Sequence, residues 1–342
     1  MRASIVFSLL LAVGLIAQTN AAPLASASCS TNTPNGISVT PGPNAITKAL
    51  ANLASNGATY TLLLAAGTYT EQVVISRDNV VLRGCGTVKV QFAKGVSTSG
   101  NNNNAVTSVL TVSASNFAAY DISFNNINPQ ARDTAALALT VDINAKNVGF
   151  YRCTFFGFQD TVLIHRGAMA YFSNCYIEGS ADFLWGYGTG YFKSSTIASN
   201  SPGYITAHNR ASPNDDGAFV FESCTIKPVT PSVISGNSNI AYASTSSAYS
   251  LRNSYLGRPW SQYARVIYMH CDIWKHIAPA RWSIWSPGNP QTSNVIFWEY
   301  QNSGQGDTDT IASFAKVITN SATINPYTLS KLFGDISWID TA

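Results

Sequence analysis

Charge is what this chain has least of: 17 acidic and 20 basic residues among 342, or 11% of the total. The net charge of +3 is too small to argue for nucleic acid, and no basic run or basic helix occurs. Histidines number four, with no Gly-x-Ser-x-Gly elbow and no ordered Ser/His/Asp constellation, which argues against a serine hydrolase. The six cysteines at 29, 85, 153, 175, 224 and 271 match no zinc-ligand spacing, so no metal site is expected. Asn-x-Ser/Thr sequons with a permitted middle residue are absent after the leader, and Asn-Gly or Asp-Gly hairpin pairs are sparse. Long apolar runs are missing too. The first, from Ile5 to Ala17, is about 13 residues, short of the roughly 20 needed to span a bilayer.

That first run instead reads as a secretory signal over residues 1–22. Arg2 supplies the positive start, and Ala21-Ala22 or Ala25-Ser26-Ala27 a small-residue cleavage site, placing the cut between about 21 and 27. The expectation is a secreted, extracellular protein that neither spans a membrane nor binds nucleic acid. Abundant Asn, Ser, Thr, Gly and Tyr suit a β-rich chain. Its length could hold two average domains or one large β domain, and residues 29–342 are read as one. A near-neutral surface gives no oligomer signal, so a monomer is expected.

What the chain does contain is a repeat. Phe117-Ala118-Ala119-Tyr120-Asp121-Ile122, Phe150-Tyr151-Arg152-Cys153-Thr154-Phe155 and Phe172-Ser173-Asn174-Cys175-Tyr176-Ile177 share one pattern of bulky, small and apolar positions. It recurs at Phe192–Ile197, Phe221–Ile226, Leu251–Leu256 and Tyr268–Ile273. The central positions, from 120 to 271, are spaced 33, 22, 20, 29, 30 and 17 apart. Alternation within each unit is a strand with one buried face. A period near 20 with variable insertions is what a parallel β-helix produces, because each coil keeps its strands in register while its loops vary.

Open solenoid ends need covers. Ile46, Ala49, Leu50 and Leu53 share one helical face within residues 44–53, as an N-terminal cap requires. Strands are expected over 61–65, 73–75, 80–82 and 108–112, with 97–104 a polar loop. Beyond about Thr310 the repeat fades into short helical or irregular pieces, packed along the outside or over the C-terminal end. Stacked Cys153 and Cys175 either pair, slightly cramped at a strand spacing of about 4.8 Å, or remain buried thiols.

Asp160 and Asp182 each lie seven residues after a repeat cysteine, so both offsets are the same (182 − 160 = 175 − 153 = 22). If each repeat is one coil, the two carboxylates stack. At about 5 Å and an effective dielectric near 20 they repel by roughly 3 kcal/mol, about two pKa units. Such a pair holds one proton over a useful pH range. A lone Asp at either position would be a turn cap or a salt-bridged strand residue; the matched offset shifts the reading to catalysis.

Around them stand Gly157-Phe158-Gln159-Asp160-Thr161 and Gly179-Ser180-Ala181-Asp182-Phe183-Leu184-Trp185-Gly186. Before and after come Gly67-Thr68-Tyr69-Thr70-Glu71 and Tyr255-Leu256-Gly257-Arg258-Pro259-Trp260. In this order and spacing the blocks resemble the signature of the pectin methylesterases (pectinesterases), carbohydrate esterases built on an all-β, right-handed parallel β-helix with short helical caps. The likeness covers roughly residues 37–333. It implies an esterase that removes methyl groups from pectin (homogalacturonan), leaving pectate and methanol, with no cofactor. Asp182 would be the nucleophile and Asp160 the general acid and then base. Gln159 would donate to the oxyanion, Arg258 would hold Asp182 ionised, and Trp260 would bind sugar. Trp185 (where Phe is usual), Tyr187 and His208 are further candidates to line the groove, with a core role the plainer reading for each. Tyr69 and Glu71 are read as scaffold.

One departure stands out. The family usually carries a second oxyanion glutamine one coil earlier, where the hydrophobic register here puts Ala135, or Asp133 or Thr134 with a slip of one or two. Losing one such donor costs on the order of 10²–10³ in rate. Either Thr134, Gln130 or a backbone N–H substitutes, or the chain is a weak or inactive β-helix that binds cell-wall polysaccharide. A pectin-cleaving glycosidase or lyase is a third reading, but the chain shows neither a second acid pair nor a cluster of calcium-binding acids.

Overall fold

A computed structural model describes residues 29, 33–100, 103–128, 134–232, 244–307 and 310–341. The proposed leader lies outside the described residues, as do Gln130 and Asp133. The chain forms a right-handed parallel β-helix: every pairing between its strands is parallel. Three strands make each central coil, for example Val148–Tyr151, Thr154–Phe156 and Val162–Ile164, followed by Met169–Ser173, Tyr176–Gly179 and Leu184–Gly186. Third strands of successive coils form a seven-stranded sheet. It runs Val73–Ile75, Leu110–Val112, Leu139–Val141, Val162–Ile164, Leu184–Gly186, Tyr204–His208 and Tyr255–Pro259.

The sequence shows why the coils stack. Inward positions carry the same kind of ring on five successive rungs: Phe150, Phe172, Phe192, Phe221 and Tyr268 stack face to face at 4.9, 4.7, 4.7 and 4.3 Å. Corners are made by residues that accept a left-handed backbone, above all asparagine. Asn79, Asn116 and Asn147 have φ of 64°, 56° and 55°. Their amides bond one another at 3.1 and 2.9 Å, so one corner is a ladder of like side chains.

The repeat register needs two corrections. Tyr120 pairs with Tyr151, and Ser123 with Thr154, so Ile122 rather than Tyr120 lies in line with Cys153. The 251–256 unit is no rung of that ladder: Thr245–Leu251 is a helix, and Tyr255–Pro259 joins the seven-stranded sheet. Both reproduce the apolar pattern, which reports burial and not which wall is buried. Cys153, Cys175, Cys224 and Cys271 are free and buried, each thiol donating to a carbonyl of the coil before, at 3.3–3.5 Å. Cys29 and Cys85 form the disulfide.

Ala45–Ala51 is the N-terminal helix, with Ile46 fully buried. Its cap residue Asn44 makes no side-chain cap bond; Glu71 accepts from Ile46 N, Thr47 N and Thr47 Oγ1 at 3.0, 3.0 and 2.7 Å instead. Tyr69 is buried with its hydroxyl on the Val39 carbonyl, so both residues serve the scaffold. The 80–82 strand extends to Phe92. The 97–104 loop contains two short turns, Val96–Ser99 and Asn104–Thr107. Past Thr310, Lys316–Ile318 adds one more strand, and short helices over 321–333 lie against the outer face near Tyr171 and Tyr191.

Candidate active site

Asp160 and Asp182 each sit two residues before a strand of the seven-stranded sheet, and those strands pair Val162 with Leu184. The Asp160 N–H donates to the Ala181 carbonyl at 3.0 Å, so the two acids occupy the same corner of adjoining coils. Both corners are left-handed, with φ of 61° and 50°, a conformation that short polar side chains tolerate and that stores strain. Glycine makes the corners possible. A Cβ on Gly179 would meet Phe183 Cβ at 2.3 Å, and one on Gly157 would meet Thr161 Oγ1 at 2.6 Å. Beneath them Asn200 donates to the Gly157 carbonyl and to buried Glu178, at 3.1 and 3.0 Å.

The two carboxyl groups live in different fields. Asp182 takes the guanidinium of Arg258 as a fork, Nε to Oδ1 at 2.9 Å and Nη2 to Oδ2 at 2.6 Å. Arg258 is itself held between the rings of Tyr204 and Trp285, at 4.1 and 4.3 Å. Burial raises the pKa of Asp182, and that fork opposes it. Asp160 has no cation in contact. Burial first, then the Asp182 charge, push it up to about 8 against the weaker pull of Asn104 and Arg258. These unequal surroundings favour keeping the pair's shared proton on Asp160 and the negative charge on Asp182.

Gln159 is half-buried next to Asp160, and its side-chain amide has no hydrogen-bond partner among the described residues. Trp260 packs on Trp185 and Tyr187 at 5.6 and 5.0 Å, and the Trp185 indole N–H donates to the Asp160 carbonyl at 3.3 Å. Trp285 extends this aromatic patch at 6.5 Å from Trp260. Past Tyr187 a cleft of about 830 Å³ opens, lined by Lys146, Arg166, Arg265 and Lys331 against Asp215 and Asp216. These are local basic groups that the bulk charge conceals.

Two candidates stand elsewhere. His208 is fully buried, with Nε2 on the Gly188 carbonyl at 3.2 Å and Nδ1 accepting from Arg265 N at 3.1 Å. Burial drives its pKa down to about 3, so it is a neutral core group and lines no groove. Thr134 is buried too, and its hydroxyl accepts from Ser97 N at 3.0 Å, which ties it to the loop above. Ala135 packs with Leu137 and Leu163, so the coil before Gln159 presents apolar groups at this corner. Sequence reasoning missed Tyr204, Trp285 and Asn104. Asn104 Nδ2 reaches Asp160 Oδ2 at 2.8 Å from 56 residues away, and nothing in a run of four asparagines singles it out.

Residues 40–335 match the pectinesterase family. A probable pectinesterase A from Aspergillus niger is 32% identical over 306 residues, covering 85% of this chain and 83% of that one. A pectin methylesterase from carrot superposes with a TM-score of 0.78 at 26% identity, over 91% of this chain and 97% of that one. A pectin methylesterase solved with a bound hexasaccharide gives a TM-score of 0.70 at 25% identity, over 86% and 94%.

Proposed function

Because the chain belongs to the pectinesterase family of carboxylic ester hydrolases, we propose that it demethylates secreted-phase pectin with Asp182 as nucleophile and Asp160 as acid and base. The observation that carries this reading is the unequal pair: one carboxyl forked by Arg258, its neighbour buried without a contacting cation.

Ionised Asp182 attacks the carbonyl carbon of a galacturonate methyl ester, and the carbonyl π pair moves onto oxygen. The unengaged amide of Gln159 stands ready to donate to that oxyanion. On collapse the C–O bond to the methoxy group breaks, its electron pair takes the Asp160 proton, and methanol leaves. An acyl anhydride between substrate and Asp182 remains. Asp160, now a carboxylate, deprotonates a water that attacks this acyl carbon, freeing Asp182 and a galacturonate carboxylate. The aromatic patch of Trp260, Trp185, Tyr187 and Trp285 offers faces for sugar rings. The signal-like sequence over residues 1–22 supports a site of action outside the cell.

The test is methanol release from methyl-esterified pectin, with solution viscosity followed in parallel. Methanol with unchanged viscosity is expected. No release above an Asp182→Asn control would turn the reading to a non-catalytic polysaccharide binder, and a viscosity drop would turn it to chain cleavage.

A further inference from the structure

We infer that Asn104 is a positioning residue that fixes which oxygen of the Asp160 carboxyl group carries the transferable proton. The inference rests on the acid and base role of Asp160 given above. Asn104 Nδ2 is the one hydrogen-bond donor to that carboxyl among the described residues, at 2.8 Å from Oδ2. In a neutral carboxyl the carbonyl oxygen is the strong acceptor and the hydroxyl oxygen the donor. An amide donating to Oδ2 therefore makes Oδ2 the carbonyl oxygen and leaves the proton on Oδ1. When Asp160 gives up that proton to methoxide oxygen, the same bond stabilises the carboxylate that takes a proton back from water.

The turn that carries Asn104 is built to hold it. Asn103 Oδ1 caps the 104–107 turn by accepting from Ala105 N at 3.0 Å. Thr107, fully buried, donates its hydroxyl to the Asn104 carbonyl at 2.7 Å and accepts from Leu137 N at 3.1 Å. Asn126 ties the Thr107 and Leu137 carbonyls together at 3.0 Å each. Asn104 is thus fastened to the coil immediately before that of Asp160. Among the described residues, the segment leading into that coil's strand presents the apolar Ala135, Ala136 and Leu137, and the carboxamide comes from a loop above the sheet.

The experiment is the pH profile of kcat/KM for Asn104→Ala and Asn104→Leu, the second keeping the volume without the donor. Asn103→Ala serves as a control that loosens the turn without touching Asp160, and thermal melts check that each variant folds. A freely rotating acid should lower kcat by up to about 10²-fold with KM little changed. The alkaline limb should move to higher pH, because the lost bond favoured the ionised form while Asp182 and Arg258, the charged groups acting on Asp160, stay in place. A role confined to loop packing predicts the reverse, since water entering the site would relieve burial and bring the limb down. An unchanged or lowered limb in both Asn104 variants overturns the inference. If Asp160→Asn instead keeps wild-type activity, the acid and base reading fails first; an inactive Asp160→Asn beside a wild-type-like Asn104→Leu removes Asn104 alone.

Discussion

Two of the arginine–carboxylate pairs among the described residues, Arg281–Glu299 and Arg258–Asp182, are put to different use. At the C-terminal end of the coil Arg281 bonds Glu299 at 3.1 Å and also Asp307, while the Trp282 indole N–H fills the other Glu299 oxygen at 2.8 Å. Both Arg281 and Glu299 are about 2% exposed, and burial pushes Glu299 up to about 6 despite the cation. At the corner of the seven-stranded sheet Arg258 forks Asp182 with the side chains 23% and 13% exposed. There the carboxylate keeps lone pairs facing an opening, and a second acid shares its charge. A pair sealed from solvent is a strut. A pair that is fixed by one cation and left open beside a protonated neighbour can do chemistry.

Breaking each pair should therefore hurt in different currencies. Asp182→Asn should lower kcat by at least about 10⁴-fold, as loss of a nucleophile does, with a small change in melting temperature because Arg258 is partly solvated. Glu299→Ala leaves the buried Trp282 indole N–H without its acceptor and Arg281 with Asp307 as its remaining carboxylate, and should destabilise by about 3–5 kcal/mol. Activity per folded molecule should survive, as denaturant titration alongside methanol release would show. Equal losses in both assays for both variants would erase the distinction.

The unequal acids predict a trade between activity and stability. The folded pKa of Asp160 is raised to about 8, so folding favours its protonated form. The sign of the linkage is then fixed: this contribution is fully present below the unfolded pKa near 3.9 and is lost as pH rises through the folded value. Asp160→Asn should gain stability relative to wild type between about pH 4 and 8, with a flat difference above, while esterase activity is lost. A stability difference that does not change across that window would place the proton elsewhere.

The smallest contrast concerns binding. Trp260→Ala removes the centre of the aromatic patch and should reduce kcat/KM by about tenfold, mostly through KM. Thr134→Val, at a buried hydroxyl that serves a loop N–H, should change it far less. Initial rates over a range of pectin concentrations separate the two.

How much of this was legible in the chain differs from wall to wall. The offset of 22 residues placed Asp160 and Asp182 on adjoining coils, as the pairing of Val162 with Leu184 bears out. The N-terminal helix was readable from its apolar face, and the parallel β-helix from the spacing of its strands. The register slip at Tyr120 and the misplaced 251–256 unit came from apolar patterns that repeat on more than one wall. For His208 both a groove and a core reading stood, the core one the plainer, because sequence gives no sign of which strand face a side chain takes after a corner. Asn104 had no signal at all.

In a solenoid, equal steps along the chain become equal steps along one axis, so the sequence by itself determined the stacking of the two acids and the rings beneath them. Which carboxyl keeps the proton was decided only in three dimensions. It depends on Arg258, 76 residues after Asp182, and Asn104, 56 residues before Asp160, and neither distance is a multiple of anything the coil repeats. Burial and hydrogen bonding are properties of the packed site, and a pattern of residues fixes them only where the fold has a period.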